Sequence, residues 1–231
     1  MTSYTPPHDH MRFVLKQMVG LENLTALPGY GDLDSALVDQ ILDEAGKFTA
    51  GELAPLNAIG DQQGVTLENG VVRTPDGFKE AYRQFIDGGW NGLPFPEEYG
   101  GQGLPWTVAT AVSEMWQSAN MSFSLCPLLT QAGIELLLKF GTDEQQSTYL
   151  EKLVTGEWAG TMCLTEPHAG TDVGALKTKA EKDGDHYRIT GTKIYITYGD
   201  HDFTENIIHM VLARLPGAPA GTKGISLFIV P

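Results

Sequence analysis

A change of hydrophobic period near Trp158 limits this chain's fold more than any other feature. Before it, apolar residues recur at helical spacing; after it, β-branched residues alternate with polar ones. A period near 3.6 gathers apolar side chains on one face of a helix, and a period of two on one face of a strand. The sequence therefore predicts an α+β protein with a helical domain over residues 1–157, including an extension over 1–30, and a β domain over residues 158–231. Charge divides at the same place. Residues 1–157 hold 8 Lys+Arg against 21 Asp+Glu and residues 158–231 hold 7 against 8, within a net charge of −14.

Local signals place the helices. Asp34 caps one whose stripe is Leu37, Val38, Ile41, Leu42, Ala45 and Phe48. Thr74-Pro75 opens the next, with Phe78, Ala81, Tyr82, Phe85 and Ile86, stopped by Gly88-Gly89. A third follows Pro105 and carries Val108, Val112, Met115 and Trp116. A Leu-rich helix spans 127–140, and Thr142-Asp143-Glu144-Gln145 is a capping box for the last, which reaches Val154. Strands are predicted at 158–165, 177–182, 186–190, 193–197, 207–212 and 224–230, with turns at Asp183-Gly184-Asp185 and at Gly191. The chain stops on an apolar strand, Ile229-Val230-Pro231, and the expectation is a longer protein with an incomplete β domain, whose open edge near Phe228-Ile229 favours association.

Composition removes several classes. A hydrophobic content of 42% supports a packed core rather than disorder. Strong acidity without a Lys/Arg cluster argues against a nucleic-acid partner. No window reads as the roughly 20 apolar residues of a membrane span, because the densest, residues 134–138, contains Glu135. The N-terminus lacks a basic and then apolar leader. Two cysteines, Cys126 and Cys163, form no CxxC pair, so the expected setting is a reducing cytoplasm without disulfides. His8-Asp9-His10 reads as a solvated segment rather than a metal site, and the other histidines show no ligand spacing.

Three segments carry chemical information. Residues 93–103, LPFPEEYGGQG, read as a helix-connecting turn and not as a dinucleotide-binding fingerprint, since no strand precedes them. Residues 162–174, MCLTEPHAGTDVG, run from a strand into a loop whose free N–H groups suit a diphosphate or a polar heterocycle edge. Glu166, beside Pro167 at the strand end, reads as a hydrogen-bonding group between elements rather than an acid or base. In Lys193-Ile194-Tyr195-Ile196-Thr197, alternation puts Tyr195 and Thr197 on one strand face, an aromatic plane beside a hydroxyl.

In order and spacing, "PEEYGGQG", "CLTEPHAGTD", "GTKIYIT" and "GISLFIVP" resemble the acyl-CoA dehydrogenases, and the likeness covers essentially the whole chain. The opening, Tyr4-Thr5-Pro6-Pro7 to Leu15, is similar to a longer bacterial branch that includes the methylmercaptopropionyl-CoA dehydrogenases. The resemblance implies an N-terminal helical domain followed by an antiparallel β-barrel domain, here without its last strands. It also implies FAD as cofactor, an acyl-CoA substrate, an electron-transfer flavoprotein as acceptor and a homo-oligomer. Met162, Leu164, Thr165, Gly170, Thr171, Tyr195, Ile196 and Thr197 would then hold FAD. Thr165 would bond the pyrimidine edge and Thr197 would lie near N5. Thr171 would also meet the substrate's pantetheine arm, and Tyr195 stands where many members have Trp. In the family, proton abstraction at the α-carbon belongs to a Glu of a third, C-terminal domain, so no catalytic base is assigned to Glu97, Glu98 or Glu166. Were these 231 residues all of the protein, weak or absent FAD binding and no turnover are expected. The alternatives are a non-catalytic flavin or acyl-CoA binding fragment, an acyl-CoA oxidase, and a DNA-associated relative on the same fold.

Overall fold

The computed structural model describes residues 4–231; the first three residues of the expected extension lie outside the described residues. The His-Asp-His opening keeps Asp9 and His10 exposed, as predicted, with His8 half-buried. It forms helix α1 (His8–Phe13), which continues through wider turns at Val14–Val19 to a short α2 (Leu21–Leu24). Met11 and Leu15 are buried. Arg12 bonds Asp39 at 3.2 Å and Asp43 at 2.5 Å, and Lys16 bonds Asp39 at 2.7 Å. Apolar spacing and cation spacing together dock this helix.

The acceptors sit on α3 (Ser35–Phe48), which Asp34 caps by accepting from the Leu37 N–H at 2.6 Å. Val38, Leu42 and Ala45 are buried, whereas Leu37 is exposed and lies off the stripe. Wider turns at Thr49–Leu53 lead into α4 (Ala54–Gln63). A hairpin that hydrophobic period does not reveal follows, β1 (Thr66–Glu68) and β2 (Val71–Arg73). Asn69 and Gly70, with φ of 53° and 78°, make its turn.

Helix α5 (Phe78–Asp87) starts later than Thr74-Pro75 predicts. The N–H and hydroxyl of Thr74 both bond the Asp202 carboxylate, at 3.2 and 2.6 Å, and this tether holds Thr74 outside the helix. Phe78, Ala81, Tyr82 and Phe85 are buried as predicted. Residues 93–103 form the expected connector, closed by Gln102 N–H to Gly92 O at 3.0 Å and Gly103 N–H to Phe95 O at 2.9 Å. Helix α6 (Trp106–Ala119) buries Val108, Val112, Met115 and Trp116.

Helix α7 (Met121–Phe140) begins six residues before the predicted 127–140, because Asn120 caps it through the Phe123 N–H at 3.0 Å and Pro127 sits inside it. At 20 residues it is long and apolar enough, by length and composition alone, to cross a membrane, which corrects the reading that no window qualifies. In this fold its buried face packs on other elements. Helix α8 (Asp143–Thr155) carries the predicted capping box, with Thr142 and Gln145 exchanging bonds at 3.0 and 3.3 Å.

The sheet comprises β3 (Ala159–Cys163), β4 (Lys179–Asp183), β5 (His186–Thr190), β6 (Ile207–Arg214) and β7 (Ile225–Val230). The order is β3-β6-β4-β5, and β7 also pairs β6. Pairings β4–β5 and β6–β7 are antiparallel. The β3–β6 pairing is parallel, Ala159 opposite Ile207 through Cys163 opposite Val211, and β4 meets β6 in a single parallel bridge. A parallel pair needs a long crossover, which the intervening hairpin and loops supply.

The predicted strand at 193–197 is absent. Tyr195 and Tyr198 adopt left-handed φ of 57° and 50°, incompatible with a continuous strand. The segment makes one backbone bond, Ile194 N–H to Thr165 O at 2.9 Å, and then turns through Gly199 N–H to Ile196 O. Alternation was its only strand signal, and no neighbouring ladder takes it up.

Helices and sheet share their cores. Tyr82 of α5 stacks on Phe203 at 5.0 Å and donates to Gly156 O at 2.9 Å. Ile134, Leu137, Leu150, Leu153 and Val154 pack with Ile208 and Met210 of β6. Where β3 crosses α7, the Gly160 N–H donates to the Thr130 hydroxyl at 3.0 Å. Cys126 and Cys163 are both buried and free.

Candidate functional site

The loop after β3 is built around Glu166. This carboxylate is 2% exposed. It accepts from the Lys177 N–H at 2.7 Å, the Thr178 N–H at 3.0 Å, the Thr178 hydroxyl at 2.5 Å and the Lys193 ammonium at 2.9 Å. Burial pushes its pKa up, but the Thr178 hydroxyl, the two backbone N–H groups and Lys193 outweigh burial and hold it at about 2. A group so firmly ionised and saturated ties the loop to residues 177–178 and 193, which is the inter-element role its sequence position predicts. Lys193 also donates to Leu164 O at 2.9 Å.

These bonds bring the 162–171 loop against residues 193–197. Met162, Leu164 and Thr165 are half-buried, while Gly170 and Thr171 are exposed. Ile196 and Thr197 are half-buried, and Tyr195 is 89% exposed. Tyr195 and Thr197 therefore do not share one strand face, because the left-handed Tyr195 breaks the alternation. Ile196 borders a cleft of about 250 Å³ with Cys163, Lys193 and His209. Thr197 borders a different cavity of about 310 Å³, between the sheet half and α4, α5 and α7. Neither Thr165 nor Thr197 uses its hydroxyl in a hydrogen bond among the described residues, so both remain available to a ligand.

Several supporting residues escape sequence reasoning. Lys193 and Thr178 act through Glu166. Arg214, at the end of β6, donates to Leu176 O and Pro219 O, each at 2.9 Å, to Gly221 O at 2.8 Å and to Gly174 O. One guanidinium thus fastens the loop after Thr171 to the β6–β7 connection. His209 Nδ1 lies 2.6 Å from the Thr161 hydroxyl, and burial lowers its pKa. Only the length of the Arg214 side chain and its place before Leu215-Pro216-Gly217 hint at such a role.

Comparison with known proteins follows the same two-part layout. The family model for the acyl-CoA dehydrogenase N-terminal domain matches residues 37–157, and that for the middle domain matches residues 161–231. The 3-methylmercaptopropionyl-CoA dehydrogenase of Ruegeria pomeroyi is 47% identical over 232 residues, covering 100% of this chain and 39% of that protein. A butyryl-CoA dehydrogenase of Syntrophomonas wolfei is 34% identical over 229 residues, covering 96% and 37%. The chain thus spans under two fifths of the length of these relatives. Among solved structures, one described as the electron transferring flavoprotein of Acidaminococcus fermentans superposes with a TM-score of 0.70 at 29% identity, covering 86% of this chain and 48% of that one. The butyryl-CoA dehydrogenase of Megasphaera elsdenii gives 0.68 at 27%, covering 86% and 49%. With helices first, a mostly antiparallel sheet after them and matching sequence across both, this chain belongs to the acyl-CoA dehydrogenase family.

Proposed function

We propose that this chain supplies the flavin-holding part of an FAD-dependent dehydrogenase acting on the α and β carbons of an acyl-CoA thioester. The observation that carries the reading is the junction of the two loops. The Ile194–Thr165 backbone bond and the Lys193–Glu166 pair join them, yet leave the Thr165 and Thr197 hydroxyls unused. Such free, half-buried hydroxyls fit the polar edge of a flavin, and the exposed backbone of Gly170 and Thr171 fits a diphosphate. When bound, FAD would supply the hydride acceptor.

In this reading Thr165 and Thr197 orient the ring, Met162, Leu164 and Ile196 flank it, and Tyr195 offers an aromatic surface that binding should cover. Thr171 also contributes a hydroxyl to the acyl-CoA. Since net charge is −14, recognition of an anionic CoA rests on these local donors rather than on the overall field. Glu166 positions the loop and moves no proton. We read residues 1–157 as the helical domain and 158–231 as the β domain, with an electron-transfer flavoprotein as the acceptor.

Titrating the chain with FAD tests this reading. Saturable quenching of flavin fluorescence in the micromolar to millimolar range is expected, weakened about tenfold or more by Thr165→Val with Thr197→Val. Absence of saturable quenching, or equal quenching in the double variant, refutes it.

A further inference from the structure

The opening residues cross the helical half as a strap that charge holds more than packing does. The Tyr4 hydroxyl lies 2.9 Å from the Ser118 hydroxyl at the end of α6. From there the strap runs over α3. His8 Nδ1 lies 3.4 Å from Asp43 Oδ1, Arg12 pairs with Asp39 and Asp43, and Lys16 pairs with Asp39. The side chains of the Arg12 and Lys16 pairs are 28–46% exposed, so salt reaches them. Met11 and Leu15 are buried, while Phe13, Met18 and Val19 stand exposed. Toward α6 the strap is not closely packed: Val14, Leu15 and Val19 line a cleft of about 430 Å³ with Thr107 and Ala111.

The seat on α3 is shaped for this strap. A methyl at Gly46 would run into the His8 ring and then Pro6, so the nearest atoms it meets all belong to the strap. Glycine is a poor choice for a helix interior, and here it makes room for the imidazole. After α1 the chain passes through the wider turns of Val14–Val19 and redirects at Gly20, whose φ is 74°. Turns of that width are rare and concentrate at functional sites. None of residues 4–19 borders the hollows beside Ile196 and Thr197, so the strap is separate from the flavin reading.

We propose that residues 4–19 are a strap that ionic strength opens and closes, seated on α3 at low salt and released at high salt to uncover Gly46 and the carboxylates of Asp39 and Asp43. Raising salt from about 0.1 M to about 1 M shortens the Debye length from about 10 Å to about 3 Å, which weakens the pairs of Arg12 and Lys16 together. The same salt relieves self-repulsion in a chain of net charge −14, so the rest of the fold tightens. Opposite responses within one molecule are the signature of the strap.

Amide hydrogen exchange of the 231-residue chain, followed residue by residue at about 0.1 M and about 1 M NaCl, tests the proposal. Exchange in residues 11–19 should quicken about tenfold or more at high salt, while α6 and α7 keep or gain protection. Arg12→Met retains an apolar stem and removes the charge, and its strap should exchange fast at both salt concentrations. Gly46→Ala favours the helical state of α3 while its methyl displaces His8; it should quicken the strap about tenfold and leave α3 protected. If Gly46→Ala fails to fold, the salt series and Arg12→Met decide the matter. Strap exchange indifferent to salt, equal quickening of the strap and α6, or parent behaviour in either folded variant overturns the proposal.

Discussion

Replacing Glu166 with Gln removes the charge around which the loop after β3 is assembled. The wild-type carboxylate holds its pKa at about 2 against an ordinary 4.5. At about 1.36 kcal/mol per pH unit, that difference corresponds to about 3 kcal/mol of stability. The His168 ring 3.4 Å from this carboxylate is 40% exposed, and discounting for screening on that side leaves about 2 kcal/mol. The amide keeps a single acceptor oxygen and turns an NH2 group toward donors. It also strands the Lys193 ammonium, 11% exposed, with only Leu164 O as partner. Breaking a buried pair on one side costs about 3–5 kcal/mol, and the remaining carbonyl puts this case at about 3 kcal/mol. In a chain of this size the melting temperature should fall by about 6–12 °C. A carboxylate with a depressed folded pKa stabilises fully above its unfolded pKa and less as pH falls through the folded one. Wild-type stability should therefore drop between about pH 4.5 and about pH 2 from this group, and the variant should lack that component. Urea unfolding at a series of pH values measures both quantities. A loss under about 1 kcal/mol at neutral pH, or an unchanged acid limb, refutes the reasoning.

Other perturbations test other parts of the fold. Gly101→Ala would drive a Cβ into Phe95 O, a backbone clash that should cost more than about 2 kcal/mol; an unchanged melt would contradict it. Arg214→Leu should free four carbonyls and speed amide exchange in residues 172–176 and 217–224, and wild-type protection there would deny the clamp. Asn91→Ala leaves Leu153 O and Val154 O without the donor now at 2.8 and 3.1 Å. A loss of about 1–3 kcal/mol by calorimetry is expected, and an unchanged stability would contradict it.

What could be read in the sequence was local. Asp34 and the Thr142–Gln145 box announce their helices because a cap and its target lie three residues apart. The stripes of α5 and α6 are legible because both helices bury one continuous face. The start of α7 at its Asn120 cap is not legible because Pro127, which usually marks a helix's first turn, here lies within the helix. The helix start at Thr74 failed because its competitor, Asp202, is 128 positions away. Distance also hides the parallel β3–β6 pairing and the Arg214 clamp. The site was legible as two segments, and their joining by Lys193 and Glu166 was not. Alternation over residues 193–197 misled because a strand needs a ladder partner as well as a pattern.

The crossing of β3 over α7 has a mechanical consequence. A methyl at Gly160 would sit 3.3 Å from the Cα of Thr130, and the hydroxyl of that threonine grips the glycine's own N–H. Two main chains riveted at such close range cannot slide along each other without losing both the bond and the fit. Thermal motion at this seam must therefore carry strand and helix together, and any flexing the molecule needs falls to its outlying connections.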